Sequence, residues 1–179
     1  MQGVILAAGK GKRLQPLTPA RTKAMAPVAG KPIVARVLDL FLENGIRDML
    51  LLISPDDADI RPYFAHYLPD DATINFVVQE ERLGMAHALT LLAPHIRGDF
   101  LMSACDNLVP ADHLAALLRT HEVQAANAVL SLMEIDVAQS ASTGIVEWHE
   151  GWIRRIVEKP QPADAPSNIA SLPLYLFAH

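Results

Sequence analysis

Apolar positions along the chain change period in a regular way. Short continuous runs at residues 3–8, 48–53, 73–78, 100–104 and 127–133 read as strands buried on both faces. Between them, residues 32–44, 58–66, 84–92 and 110–121 carry apolar side chains at helical spacing. Pro32 opens the first of these helices and Gly45 stops it, and Pro94 closes the third. The alternation predicts an α/β fold: a Rossmann-like, mixed but mostly parallel sheet with helices on both faces. From residue 144 the pattern turns to strand on strand. Residues 145–148 and 152–157 flank Glu150 and Gly151, and residues 170–177 follow a loop over 161–168. One domain is expected, with an α/β core over 1–135 and an antiparallel β segment over 136–179.

Composition narrows the class. The chain has 179 residues, of which 51% are hydrophobic and 20% charged, enough for one domain with a substantial core. Its single cysteine, Cys105, excludes an internal disulfide and fits a reducing compartment. The apolar run at the start lacks a charged leader and is too short for a signal peptide or a membrane span. A cytoplasmic protein without a membrane partner is expected.

Charge is unevenly placed. Residues 1–38 hold seven basic and no acidic side chains, so this part carries +7 while the remainder carries −12. A nucleic-acid binder spreads basic charge over a face and interleaves aromatics, and this basic segment has no aromatics. The expected partner is a small polyanion rather than nucleic acid.

The segment in question runs LAAGKGKRLQPLT at 6–18 and KAMAPVAGKP at 23–32. An apolar strand empties into Gly9 and Gly11 with six cations, Lys10, Lys12, Arg13, Arg21, Lys23 and Lys31. Glycines let backbone N–H groups approach an anion, and the cations neutralise phosphate oxygens. A solvated surface turn would not account for the missing acids. Leu14 stands where both the P-loop and the dinucleotide fingerprint need glycine, so neither motif applies.

These residues, L-A-A-G-x-G-x-R-L-x-P-L-T followed by T-K-x-M-x-P-V-x-x-K-P, resemble the signature of the sugar-1-phosphate nucleotidylyltransferases. Such enzymes join a nucleoside triphosphate (NTP) to a sugar 1-phosphate and release pyrophosphate. The resemblance continues through Gln79 and Gly84, Asp106-Asn107, Gly144-Ile145-Val146-Glu147, Glu158-Lys159-Pro160 and Ser167-Asn168, nearly the whole chain. It implies Arg13, Lys23 and Asp106 as catalytic residues, and Asp106 as the ligand of Mg²⁺, the expected cofactor. It further implies that Leu6, Ala7, Ala8, Gly9, Gly11, Gln79 and Gly84 bind the nucleotide, and that Gly144, Glu158, Lys159 and Asn168 bind the sugar phosphate. The expected reaction is an in-line attack by the sugar phosphate on the α-phosphorus, which needs no protein nucleophile. Relatives of this kind continue further and gain a second metal carboxylate and oligomer contacts there. The chain is therefore expected to be a C-terminally incomplete form of the family domain, and homo-oligomer formation stays open.

Competing readings remain beside this one. A nucleotide-sugar-binding or regulatory module would keep the loop without turnover, and a cytidylyltransferase acting on another phosphorylated alcohol would share the core. Asp106 could instead cap the helix near Pro110, and Cys105, where relatives carry glycine, reads as a small buried thiol. No H-E-x-x-H pair or G-x-S-x-G elbow occurs. His87 reads as a partly exposed helix residue, Trp148 and Trp152 as a cross-strand pair, and Glu158-Lys159 apart from the resemblance as a surface ion pair. Neither base nor sugar is identified.

Overall fold

A computed structural model describes residues 1–9, 11, 22–81 and 83–179. The elements are β1 (Gln2–Leu6), a small hairpin of β2 (Pro27–Val28) and β3 (Lys31–Pro32), α1 (Ile33–Glu43), β4 (Asp48–Ile53), α2 (Ile60–Phe64), β5 (Thr73–Val78), α3 (Met85–Leu92), β6 (Phe100–Ala104), α4 (Ala111–Gln124), β7 (Ala128–Glu134), β8 (Gly144–His149), β9 (Trp152–Glu158) and β10 (Ile169–Phe177). They divide into two units, Met1–Val129 with Leu176–His179, and Leu130–Tyr175.

In the first unit the parallel strands lie in the order β5-β4-β1-β6. The register is in step: Gln2 faces both Asp48 and Phe100, and Leu6 faces both Leu52 and Ala104. Both faces of β4, β1 and β6 are covered, while β5 at the edge stays partly exposed. Val4, Ile5, Leu50, Leu51, Leu52, Leu101 and Met102 are all essentially inaccessible, which is why the runs read as unbroken apolar stretches. Chain order moves from β1 through β4 to β5 and then returns across β1 to β6. Because crossovers are right-handed, that reversal sends α1 and α2 to one face and α3 to the other. It also makes the carboxyl ends of β1 and β6 a topological switch point, where open sheets bind ligands.

Local chemistry explains the boundaries. Residues Val34, Ala35, Val37, Leu38, Leu40 and Phe41 form the buried face of α1, and Phe41 packs so closely on β1 that a Cβ at Gly3 would lie 2.6 Å from its ring. Gly45, at φ 79°, ends the helix with its N–H on the Leu42 carbonyl. The strands expected at 48–53, 73–78 and 100–104 are found at those residues. Helix α3 ends at Leu92, as expected, and Pro94 follows in a 3-10 turn over Ala93–His95, because its missing N–H breaks the α-ladder while its fixed φ suits the tighter turn. The ends of α2 and α4 differ more. Helix α2 is shorter than its apolar pattern, and α4 runs on to Gln124, stopped by Ala125 in the left-handed region.

The second unit is antiparallel. Strands β8 and β9 pair from Gly144 opposite Glu158 to His149 opposite Trp152, and Ala170 of β10 faces Ile145 of β8. Glu150 and Gly151 both have positive φ, 50° and 84°, the conformation of the two-residue turn that matches strand twist. The two-residue turn pairs His149 with Trp152 and therefore Trp148 with Ile153, and a register shift between Glu147 and Trp148 then sets Glu147 opposite Arg155. The expected tryptophan pair is thus not formed: the two rings occupy neighbouring positions of the ladder, and both are exposed. No helix among the described residues is long and apolar enough to cross a membrane.

Candidate functional site

The first unit gathers its chemistry at the carboxyl ends of β1 and β6. Beyond β1, Ala7 donates its N–H to the Leu52 carbonyl at 2.7 Å and stays buried with Ala8, whereas Gly9 is exposed. Beyond β6, Cys105 donates its N–H to Leu6 at 3.1 Å, and Asn107 to Ala104 at 3.2 Å, so the turn carrying Asp106 is pinned against the end of β1. Asp106 does not cap the next helix: the residue before α4 is Pro110, with no side-chain bond to the helix.

Lys23 opens a 3-10 turn, Lys23–Met25, anchored by the buried Ala24 and Met25. Its ammonium forms a salt bridge with the Asp106 carboxylate, and both side chains remain partly open to solvent. Gly11 lies against the same lysine. A Cβ on it would fall 2.7 Å from Lys23 Cβ and 3.4 Å from its Cα, and its φ is +60°. Glycine is therefore needed there both for conformation and for space. The two halves of the basic signature, at 6–18 and 23–32, meet through this contact. Arg13, with Lys10, Lys12 and Arg21, lies outside the described residues.

Burial pushes the Cys105 thiol up to about 12, and the neighbouring Asp106 charge adds to the effect. It is an inert filler, as its small size implies. Among the described residues no cluster of three or more His, Cys, Asp or Glu side chains forms a cage for a metal ion. A single carboxylate at a partly open strand end does fit Mg²⁺, which commonly takes one or two protein oxygens and fills its shell from substrate phosphates and water.

Lys31 corrects part of the phosphate reading. Its ammonium pairs with Asp39 on α1, which also accepts a 2.7 Å bond from the Tyr67 hydroxyl. The Asp39 bond comes first among the causes that hold the Lys31 pKa above its ordinary range. This cation is engaged in fastening α1 to the segment after α2, so it is not offered to a ligand. The signal was available: Asp39 is an acid set within an apolar helix, and such an acid needs a cation.

Gln79, at the end of β5, is only 5% exposed. Its backbone N–H bonds to the Ile53 carbonyl at 2.9 Å, and its side-chain Nε2 lies 3.4 Å from the Gly84 carbonyl and 3.2 Å from His87 Nδ1. Gly84 precedes α3 at φ 96°, a conformation that a side chain would strain. The sequence did not reveal the partnership with His87, because helical spacing assigns a histidine to a turn but not to a partner on another element.

In the second unit Gly144, Glu158 and Lys159 come together at the base of the β8–β9 hairpin. A Cβ on Gly144 would stand 3.2 Å from Glu158 Oε2, and Lys159 Nζ is 3.2 Å from Glu158 Oε1. Lys159 has φ 49° and gives its N–H to Thr143. Asn168 stands apart from that trio in its bonding, donating through Nδ2 to Glu134 Oε1 at 2.9 Å. Ser167 Oγ bonds to the Val146 carbonyl at 2.7 Å and holds the loop that bears it.

A family model described as nucleotidyl transferase matches residues 2–179. The chain is 32% identical over 179 residues to a UTP–glucose-1-phosphate uridylyltransferase of Haloferax volcanii, across 99% of this chain and 72% of that protein. It is 33% identical over 181 residues to a glucose-1-phosphate thymidylyltransferase of Mycolicibacterium smegmatis, across 98% of this chain and 61% of that one. The chain thus spans under two thirds of the mycobacterial relative. A UDP-glucose pyrophosphorylase structure from Acinetobacter baumannii superposes with a TM-score of 0.90 over 99% of this chain and 74% of that chain, at 21% identity, which establishes the α/β mixed-sheet fold.

Proposed function

The chain belongs to the nucleotidyl transferase family, and from that premise we propose that it transfers a nucleotidyl group from an NTP to a sugar 1-phosphate, giving a nucleoside diphosphate sugar and pyrophosphate. The observation that carries the reading is the meeting of Gly11, Lys23 and Asp106 at the ends of the adjacent strands β1 and β6. A cation on a short anchored turn, a carboxylate and the nearby Gly9 and Gly11 form the equipment of a triphosphate site at a switch point. The two relatives, a uridylyltransferase and a thymidylyltransferase acting on glucose 1-phosphate, support the substrate class.

The chemistry requires positioning and charge neutralisation. An oxygen of the sugar 1-phosphate forms a bond to the α-phosphorus as the bond to pyrophosphate breaks, and the electron pair departs with pyrophosphate. The attacking oxygen is already ionised, so no proton need be removed. Lys23 exchanges its Asp106 partner for phosphate oxygens and stabilises the charge that builds on the leaving group. Asp106, released from the lysine, would hold Mg²⁺. That ion, when bound, would neutralise phosphate charge as a Lewis acid. Ala7, Ala8, Gly9 and the Gln79–Gly84 segment take the nucleoside, and Gly144, Glu158, Lys159 and Asn168 take the sugar phosphate.

Incubation with Mg²⁺ and pairwise combinations of NTPs and sugar 1-phosphates, with pyrophosphate release as readout, tests the reading. Release dependent on both substrates is expected. Nucleotide binding without pyrophosphate release from any pair would point to a binding module instead.

A further inference from the structure

Gln79 can offer a base either its carbonyl oxygen or its amino group, and the two ends select opposite bases. Which end is free is decided by what holds the other. The Gly84 carbonyl, 3.4 Å from Nε2, can only accept, so the nitrogen must be the end that faces it. That carbonyl is itself fixed, because it also accepts the Ala88 N–H at 3.1 Å in the first turn of α3. With the nitrogen so assigned, the atom 3.2 Å away on the other side, His87 Nδ1, has to accept the second N–H. The imidazole is then the neutral tautomer with its hydrogen on Nε2. Both donors of the amide are used within the protein, which leaves Oε1 as the end that can accept from a ligand.

We propose that His87 is a positioning residue: through Nδ1 it holds the Gln79 amide so that its oxygen meets the base, and the site thereby selects bases with a ring N–H. Uracil, thymine and guanine carry a ring N–H that donates to such an oxygen. Adenine and cytosine present a lone pair at the corresponding ring nitrogen and would face the oxygen with no hydrogen between. The inference rests on the reading that Gln79 meets the base of an NTP. Without His87 the Nε2 end keeps only its long bond to Gly84, the amide turns over more readily, and discrimination falls without any change in the phosphate contacts.

Two measurements test it. Long-range ¹H–¹⁵N correlation spectra of the ligand-free protein should give His87 as the Nε2–H tautomer; an Nδ1–H tautomer would overturn the assignment of the amide. Calorimetric titration with UTP, dTTP, GTP, ATP and CTP should then rank the first three above the last two. In His87→Leu that ratio should fall by about three- to tenfold, the worth of one neutral hydrogen bond, while ATP affinity changes little. His87→Asn, whose Oδ1 can accept in place of Nδ1, should restore most of the preference, and Gln79→Ala should abolish it. A parent ratio near one, an unchanged ratio in His87→Leu, or failure of His87→Asn to recover it would overturn the proposal while leaving nucleotidyl transfer intact. A parent that binds none of the five nucleotides would overturn the proposed function and the base selection with it.

Discussion

Gly11 lies against the stem of Lys23, with 2.7 Å between the place of its absent Cβ and the lysine's own Cβ. A contact that close cannot be kept, and the atoms in the way are the first atoms of the side chain rather than its flexible end. The left-handed φ adds its own strain. Gly11→Ala should therefore displace Lys23, lowering pyrophosphate release at least tenfold, and destabilise the fold by about 1–3 kcal/mol. Urea unfolding and steady-state kinetics measure the two effects, and parent kinetics in this variant would break the link between the glycine loop and Lys23.

Lys23→Ala removes the cation from the proposed transition state. Turnover should fall by about two orders of magnitude or more, comparable with losing one electrostatic stabiliser. Stability should change by no more than about 1 kcal/mol, because its salt bridge to Asp106 is partly solvated. Activity within a few-fold of the parent would take Lys23 out of catalysis.

For Asp106→Asn the expected effect is on metal dependence. The Mg²⁺ concentration giving half-maximal rate should rise about tenfold or more, since a neutral amide oxygen is a poorer ligand for a hard dication. Chelation of Mg²⁺ should arrest the parent. Superimposable Mg²⁺ titrations for parent and variant would place the ion elsewhere.

Tyr67→Phe isolates the fastening of α1. It deletes the 2.7 Å bond to Asp39 and leaves the Lys31 salt bridge in place. About 1 kcal/mol of stability should be lost, with kcat and KM within twofold of the parent. A large kinetic effect would mean that Lys31 and Asp39 serve the substrates after all.

Asp99 gives a pH prediction. Its bond with His121, assisted by the His179 N–H, holds its carboxyl below the ordinary 3.8. A carboxyl with a lowered folded pKa contributes stability that is present above 3.8 and lost as pH falls through the folded value. Thermal melts from pH 5 to pH 2.5 should show a shallower acid decline in Asp99→Asn than in the parent. Parallel curves would show that the pair contributes nothing to acid sensitivity.

The alternation of strand and helix, the bounds of β4, β5 and β6 and the concentration of glycines and cations after β1 are all legible in the residues alone. These are local properties. A strand buried on both faces must be apolar throughout, a helix must present one face at its own period, and an anion loop must carry glycine and cations near one another. How charges and amides are shared is a property of the assembled fold. The fold matches Lys31 with Asp39 and Tyr67, brings Lys23 to Asp106 across Gly11, turns the Gln79 amide toward Gly84 and His87, and slips the β8–β9 register between Glu147 and Trp148. A side chain's period gives its direction from its own backbone. Its partner depends on which elements the crossover handedness and strand register bring alongside, and a one-residue shift, as between Glu147 and Trp148, changes the pairing without leaving a mark on the sequence pattern.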